Sequence, residues 1–132
     1  MAINLTNEGK AMFLQWLTGK TLLLHLYKNE LDTRRYDLTI KDIQENDEEG
    51  YAALEMKPEG WKVCTNLQGI TMAAYDPVVF DFVVPVEKSY GYYVTDEKNE
   101  RLLWIEQFEA GGFYKLPLRG GQIMVDTRLL LA

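Results

Sequence analysis

Two kinds of hydrophobic spacing divide the chain into a short N-terminal segment and a long remainder. Within residues 6–17, Met12 and Trp16 lie four residues apart, as do Phe13 and Leu17. This spacing predicts one apolar stripe along a helix. A threonine at the first position can cap the helix, and a glycine shortly after the last turn is a natural stop. We therefore predict a helix near residues 6–17.

From residue 21 onward the apolar positions alternate or form short runs, as they do in strands. In residues 21–27, three leucines alternate with Leu23, His25 and Tyr27, which predicts one fully apolar face and one mixed, less buried face. Turn-forming residues, among them the pair Gly111-Gly112, separate the later candidates. These later candidate strands span residues 51–56, 61–65, 70–75, 78–84, 90–95, 101–108 and 122–131.

Many short strands without a repeated strand–helix alternation favour an antiparallel arrangement. The predicted fold class is mainly β, an antiparallel β-sandwich or barrel-like domain with one short N-terminal helix. Residues 1–132 fit a single domain. Residues 36–43 suit either a strand or a helical turn, and the charged residues 44–50 predict a solvated loop.

One predicted hairpin is apolar on both faces. Its arms are Tyr90–Thr95 and Arg101–Phe108, and the charged tip is Asp96–Glu100. One face is expected to enter the core, so the other needs a different cover. We expect that cover to be the N-terminal helix, through Phe13 or Trp16, or another protein chain.

Net charge and cysteine content exclude several functions. The formal net charge is −6, and no basic block stands out, which argues against nucleic-acid binding. Cys64 and His25 are the only cysteine and histidine, too few for a disulfide or a structural zinc site. No apolar run is long enough to span a membrane, and the N-terminus does not match a signal peptide. We expect synthesis in a cytoplasm and no cofactor.

Side chains suited to catalysis are few. Nucleophilic catalysis would have to use His25, which lies in a leucine-rich strand, and Ser89 has no nucleophile-elbow glycines around it. We expect His25 and Cys64 to be structural, with Cys64 packed or half-buried. Glu106 lies in an apolar strand and is expected to be exposed or ion-paired. A small hydrolase using two carboxylates remains an alternative, but the prediction is that the chain is not an enzyme.

Aromatic residues are concentrated in one part of the chain. Such a group can pack a core or pair across strands, and it can also bind sugar rings or another protein. We take the group as a candidate interface, with core packing and a carbohydrate-binding module as alternatives. Its members are Tyr90, Tyr92, Tyr93, Trp104, Phe108, Phe113 and Tyr114.

The order of these segments resembles a family of small virion structural proteins of tailed bacteriophages. The likeness spans nearly the whole chain, and the tyrosine-rich hairpin is its most specific part. The N-terminal half, around residues 45–49, is more charged than the pattern of that family. The segments that carry the resemblance are LTNEGKAMFLQWL, LLLHLYKNE, GYAALEMKPEGW, YGYYVTDEKNERLLWIEQF and GQIMVDTRLLL.

The resemblance implies a non-enzymatic, β-rich component of the virion, made in the host cytoplasm. The interpretation we favour is a capsid decoration (cement) protein on the outer shell. A neck, tail or tail-fibre accessory protein is the alternative within the particle. The expected partners are other copies of the chain, as a homo-oligomer, and phage capsid or tail proteins, with no nucleic acid and no membrane.

Overall fold

A computed structural model describes residues 3–109 and 112–131. Gly111, half of one predicted break, lies outside the described residues. The helix α1 (Asn7–Thr18) precedes the strands, and short 3-10 turns occupy Ile40–Asp42 and Pro58–Gly60. The strands are β1 (Leu22–Tyr27), β2 (Leu54–Met56), β3 (Trp61–Thr65), β4 (Thr71–Tyr75), β5 (Val78–Phe82), β6 (Val86–Ser89), β7 (Gly91–Asp96), β8 (Leu102–Gln107), β9 (Tyr114–Leu116), β10 (Gly121–Val125) and β11 (Arg128–Leu130).

The fold is mainly β, with several antiparallel sheets and one N-terminal helix, so the predicted fold class is confirmed. The largest sheet has the order β2-β1-β7-β8. Smaller sheets join β11-β4-β3, β10-β5 and β6-β9. Buried apolar residues from α1 and from each of these sheets meet in a shared core, among them Leu24, Ala73, Phe80 and Val86. The sheets therefore pack in a sandwich-like arrangement.

The helix forms where its sequence predicts it, but its buried face is not the predicted one. Thr6 caps the first turn, because its Oγ1 accepts a hydrogen bond from the backbone N–H of Gly9 at 3.2 Å. The helix packs against β3 and β4 with Leu14 and Thr18 buried. The predicted Met12–Trp16 stripe points outward instead. The reason is that Leu14 lies on the side of the helix facing the sheet, about 160° from those residues.

The hairpin is confirmed as β7 and β8, with Tyr93 opposite Ile105. At its tip, the Asp96 carboxylate accepts hydrogen bonds from the backbone N–H groups of Glu100 and Arg101, at 2.8 and 3.0 Å. Asn99 adopts a φ of 56°, a left-handed conformation that asparagine tolerates in turns. Local turn chemistry therefore joins the two arms.

The second apolar face of the hairpin is covered by the long segment between β1 and β2. Tyr90 and Tyr93 pack with Tyr27, and Leu31 and Ile43 from this segment lie against them. The expected covers, the helix or another chain, are therefore wrong for this face. The physical reason is that Leu31 and Ile43 give this largely polar segment the apolar contacts that bury the tyrosines.

The charged residues 44–50 are not uniformly solvated, which corrects the loop prediction. Asn46 is 1% exposed. Its backbone N–H donates to the Leu26 carbonyl at 3.0 Å, and its side-chain amide donates to the Lys88 carbonyl at 2.9 Å. A polar residue can be buried in this way because strands β1 and β6 supply its hydrogen-bond partners.

Several strands also differ from the predictions. The predicted strand 122–131 is two strands, β10 and β11, which pair with β5 and β4 respectively. Strands β6 and β9 pair with each other and were not predicted. Their sequences, VEKS and YKL, are short and polar, so they carry little hydrophobic periodicity.

Candidate functional site

The outer face of α1 is the most exposed apolar surface on the helix. Met12, Phe13 and Trp16 expose 72%, 59% and 65% of their surface. They lie on one side because residues three and four apart share a helix face. The opposite side is held on the sheet by Leu14. A helix that is apolar on both sides is ordinarily covered on both sides, so this outer face is a candidate for binding.

A shallow apolar groove of about 290 Å³ adjoins this face. Phe13 and Trp16 form part of its wall, and Leu5, Leu17 and Leu131 form much of the rest. The Nζ of Lys20 lies 3.9 Å from the centroid of the Trp16 ring and makes a cation–π contact with it. We call Met12, Phe13, Trp16 and this groove the helix surface.

Three of the seven predicted interface residues lie in the core and not on the surface. Tyr90, Tyr92 and Tyr93 are 8%, 3% and 2% exposed. Tyr93 stacks on His25 with ring centroids 4.5 Å apart, and Tyr90 stacks on Tyr27 at 6.5 Å. These tyrosines are covered within the chain, so the case for an interface at β7 fails.

The other four predicted residues lie progressively closer to solvent. Trp104 and Phe108 are half-buried, and Trp104 meets Trp61 edge-on at 6.1 Å. Phe113 and Tyr114 are 41% and 39% exposed. Tyr114 stacks on Phe108 at 4.9 Å, so much of its ring is already occupied. The group therefore forms a packed cluster that reaches the surface at Phe113 and Tyr114 and offers no open aromatic platform.

His25 is buried, which corrects the prediction of a less buried face. It is 1% exposed because the segment after β1 covers that side of the sheet. Its Nδ1 lies 2.7 Å from Oε2 of Glu45, and its Nε2 lies 2.8 Å from Oγ1 of Thr95. This arrangement has the order of a hydroxyl–imidazole–carboxylate triad, but Thr95 is 0% exposed. No substrate can reach that hydroxyl, so the arrangement serves structure.

Glu45 accepts a second hydrogen bond in the same network. The Tyr51 hydroxyl donates to Glu45 Oε2 at 2.6 Å and accepts from the backbone N–H of Leu26 at 2.9 Å. Burial acts to raise the pKa of Glu45, but hydrogen bonds from His25 and Tyr51 outweigh it, and the net effect lowers the pKa. Burial and the adjacent Glu45 raise the pKa of Tyr51 well above its usual range. The network stabilises a charged carboxylate that fastens the loop to β1.

The remaining chemical candidates are dispersed. Glu106 is exposed, as predicted, and accepts a hydrogen bond from the Tyr92 hydroxyl at 2.7 Å. Cys64 is exposed on β3, so the prediction of a packed or half-buried thiol is wrong. The reason is strand alternation, since its neighbour Val63 takes the position that faces α1. Among residues 3–109 and 112–131, no cluster of three or more His, Cys, Asp or Glu side chains is arranged to hold a metal ion.

Searches of protein-family models, of curated proteins and of solved structures found no significant match to this chain. Within the described ranges, no helix has the length and apolar character needed to cross a membrane. The helix surface was not among the predicted interface residues. The signal that indicates it is the presence of Ala11 and Leu14 on one side of α1 and of three large apolar residues, Met12, Phe13 and Trp16, on the other.

Proposed function

We propose that the chain is a non-enzymatic structural protein of a tailed-bacteriophage particle, a capsid decoration protein that binds the outer shell through its helix surface. The observation that carries the proposal is the exposure of Met12, Phe13 and Trp16 on a helix whose opposite face is buried. The particle and its phage origin are supported by the sequence resemblance, above all by the β7–β8 hairpin.

The chemistry of the helix surface suits protein association. Large aromatic side chains and methionine are enriched in the centres of protein interfaces, and charged residues are depleted there. Removing Phe13 and Trp16 from water on docking is favourable in proportion to the apolar area buried. The groove beside them gives a partner's apolar side chain a place to insert, which is the arrangement found at energetic hot spots.

Sugar binding is not favoured by the geometry. A carbohydrate-binding module needs aromatic faces that are open to a sugar ring, and the predicted tyrosines of β7 are buried. Tyr114 offers a partly exposed ring, but Phe108 already stacks on it. Protein docking at the helix surface would use Phe13 and Trp16, which are exposed and do not stack on another aromatic ring among the described residues.

The test is cosedimentation with shells of the phage assembled without this protein. We expect the wild-type chain to bind such shells and Trp16→Ala to bind about 30-fold more weakly, the effect of losing roughly 2 kcal/mol at a hot spot. Met124→Ala is the matched control, because Met124 on β10 is 63% exposed and lies outside the helix surface. Its binding should equal that of the wild type.

Two results would overturn the proposal. A wild-type chain that does not cosediment with shells at any concentration tested is not a decoration protein. Equal loss of binding in Trp16→Ala and Met124→Ala would show that general hydrophobicity, and not the helix surface, drives the association. Labelling of the protein in intact particles separates the outer shell from the neck and tail positions.

A further inference from the structure

A second surface with a different chemistry lies along the outer edge of β8. An open cleft of about 750 Å³ separates this edge from the loop segment 30–34. Strand β8 is the last strand of the sheet β2-β1-β7-β8. Within residues 3–109 and 112–131, no other strand pairs with its outer side. The cleft therefore borders a sheet edge that can accept a further strand.

The backbone of β8 shows which groups face the cleft. The N–H of Phe108 donates to the Tyr90 carbonyl at 2.9 Å, so the backbone N–H of Phe108 points toward the β7 side of the strand. The Glu106 carbonyl also points toward β7, since a Cβ placed on Gly91 would come within 2.0 Å of it. Backbone groups alternate in direction along an antiparallel strand. Ile105 and Gln107 therefore direct their N–H and C=O groups into the cleft.

The side chains of the cleft define its chemistry. Glu30, Asp32 and Glu106 contribute three carboxylates, whereas Arg34 contributes the single guanidinium. That guanidinium and the Asp32 carboxylate form an ion pair, with Nε 3.0 Å from Oδ1, so Glu30 and Glu106 supply the excess negative charge of the cleft. Leu31 and Ile105 supply a half-buried apolar strip between the carboxylates. The cleft therefore combines an excess of carboxylates with two half-buried apolar side chains.

We propose that this cleft binds an extended, basic segment of a partner protein, which adds as a strand to the edge of β8. The segment would alternate Lys or Arg with an apolar residue, placing cations at the carboxylates and the apolar side chain on Leu31 and Ile105. Main-chain hydrogen bonds to Ile105 and Gln107 would supply affinity that does not depend on sequence. This surface goes beyond the helix surface proposed for shell binding.

Charge separates this partner from a second copy of the chain. Pairing two β8 edges would bring the carboxylates of Glu30 and Glu106 from both copies together. Like charges at close range oppose such association, whereas a cationic segment meets complementary charge. The chain as a whole carries a net charge of −6, which adds to the repulsion between copies.

The test uses fluorescence anisotropy with a short labelled peptide in which lysine and valine alternate. We expect saturable binding of this peptide and no binding of a matched peptide in which glutamate replaces lysine. Gln107→Pro removes one N–H directed into the cleft and should weaken binding about tenfold. Gln107→Ala keeps that N–H and is the matched control, with binding close to the wild type. Glu30→Lys should weaken binding by removing one carboxylate and adding a cation.

The outcomes separate strand addition from general charge attraction. Equal binding by Gln107→Pro and Gln107→Ala would overturn strand addition, even if Glu30→Lys weakened the association. Proline is tolerated at an edge strand when the lost N–H faces away from the sheet. Should Gln107→Pro fail to fold, hydrogen exchange on the wild-type chain decides the matter. Slowed exchange at the amides of Ile105 and Gln107 on adding the peptide supports the proposal, and unchanged exchange there overturns it.

Discussion

The imidazole of His25 and the carboxylate of Glu45 lie 2.7 Å apart, although the two residues belong to different parts of the fold. His25 comes from the centre of β1, and Glu45 comes from the loop that returns over the sheet, where Tyr27 and Glu45 form an isolated β-bridge. This contact fastens the loop over the face that Tyr90 and Tyr93 present. The polar pair therefore holds in place the apolar cover that the hairpin requires.

Glu45 makes the stability of the fold depend on pH in the acidic range. Its pKa in the folded state lies below the ordinary value of 4.5. A carboxyl with a lowered folded pKa contributes stability above its unfolded pKa and loses that contribution as the pH falls through the folded value. We expect Glu45→Gln to lower the free energy of unfolding at neutral pH by about 1–3 kcal/mol. It should also flatten the loss of stability below pH 4.5, measured by urea denaturation across pH.

Glu49→Gln provides the control for this prediction. Glu49 is an exposed carboxylate in the same loop, so its replacement removes the same charge without removing the contact to His25. Its pH profile should follow that of the wild type. A Glu45→Gln variant whose stability falls with acid as steeply as that of the wild type would refute the assigned role.

Two tyrosines allow a matched test of the same region. The Tyr51 hydroxyl joins Leu26 N–H to Glu45, whereas the buried Tyr27 hydroxyl has no hydrogen-bond partner among the described residues. Tyr51→Phe leaves a backbone donor and a carboxylate short of a partner, and should cost about 1–3 kcal/mol of unfolding free energy. Tyr27→Phe removes an unpaired hydroxyl and should change stability by less than about 0.5 kcal/mol.

Denaturant titrations of both variants under the same conditions measure this difference. The change from tyrosine to phenylalanine is chemically identical in the two variants, so ring packing cancels in the comparison. Burial, followed by the charge of Glu106, raises the pKa of Tyr27 to about 12, so both hydroxyls are protonated at neutral pH. Similar losses at the two positions would contradict the assigned hydrogen bonds.

The sequence was sufficient to predict the elements that depend on residues close together in the chain. The start of α1 follows from the capping threonine, and the β7–β8 hairpin follows from two alternating arms around a polar tip. The antiparallel class follows from the number and spacing of short strands. Each of these features depends on residues close together in the chain.

The errors come from contacts between distant parts of the chain. The rotation of α1 about its axis decides which of its two apolar sides faces β3 and β4. Periodicity within the helix does not distinguish the two sides. The burial of His25 depends on a loop that is charged overall but carries Leu31 and Ile43 at the positions that reach the tyrosines. The helix surface was missed for the first reason, and the interface at β7 was wrongly predicted for the second.

The orientation of α1 can be checked by comparing two truncations. Leu14 is 1% exposed in the core, so Leu14→Ala should lower the free energy of unfolding by about 2–5 kcal/mol. Trp16 is 65% exposed, and Trp16→Ala should cost less than about 1 kcal/mol, including its contact with Lys20. Thermal and chemical denaturation measure both. A larger loss for Trp16→Ala than for Leu14→Ala would reverse the assigned faces.

The reactivity of the Cys64 thiol reports on a surface away from the helix surface. It is exposed on β3, and alternation along the strand places it on the side away from α1, since Val63 adjoins the helix. A maleimide should therefore modify Cys64 fully in the folded protein, without denaturant. It should do so equally well when the helix surface is docked on a shell.

A second cysteine variant gives the opposite expectation. In a Cys64→Ser background, Met12→Cys places a thiol within the helix surface while keeping Phe13 and Trp16, and it should react freely in solution. Bound to shells, this thiol should react at least about tenfold more slowly if a partner covers α1, because the thiol must be accessible to attack. The extent of labelling, measured by mass spectrometry on free and shell-bound protein, gives both rates. Equal protection of the two thiols would place the contact elsewhere, and an unprotected Met12→Cys thiol would show that the shell does not cover the helix surface.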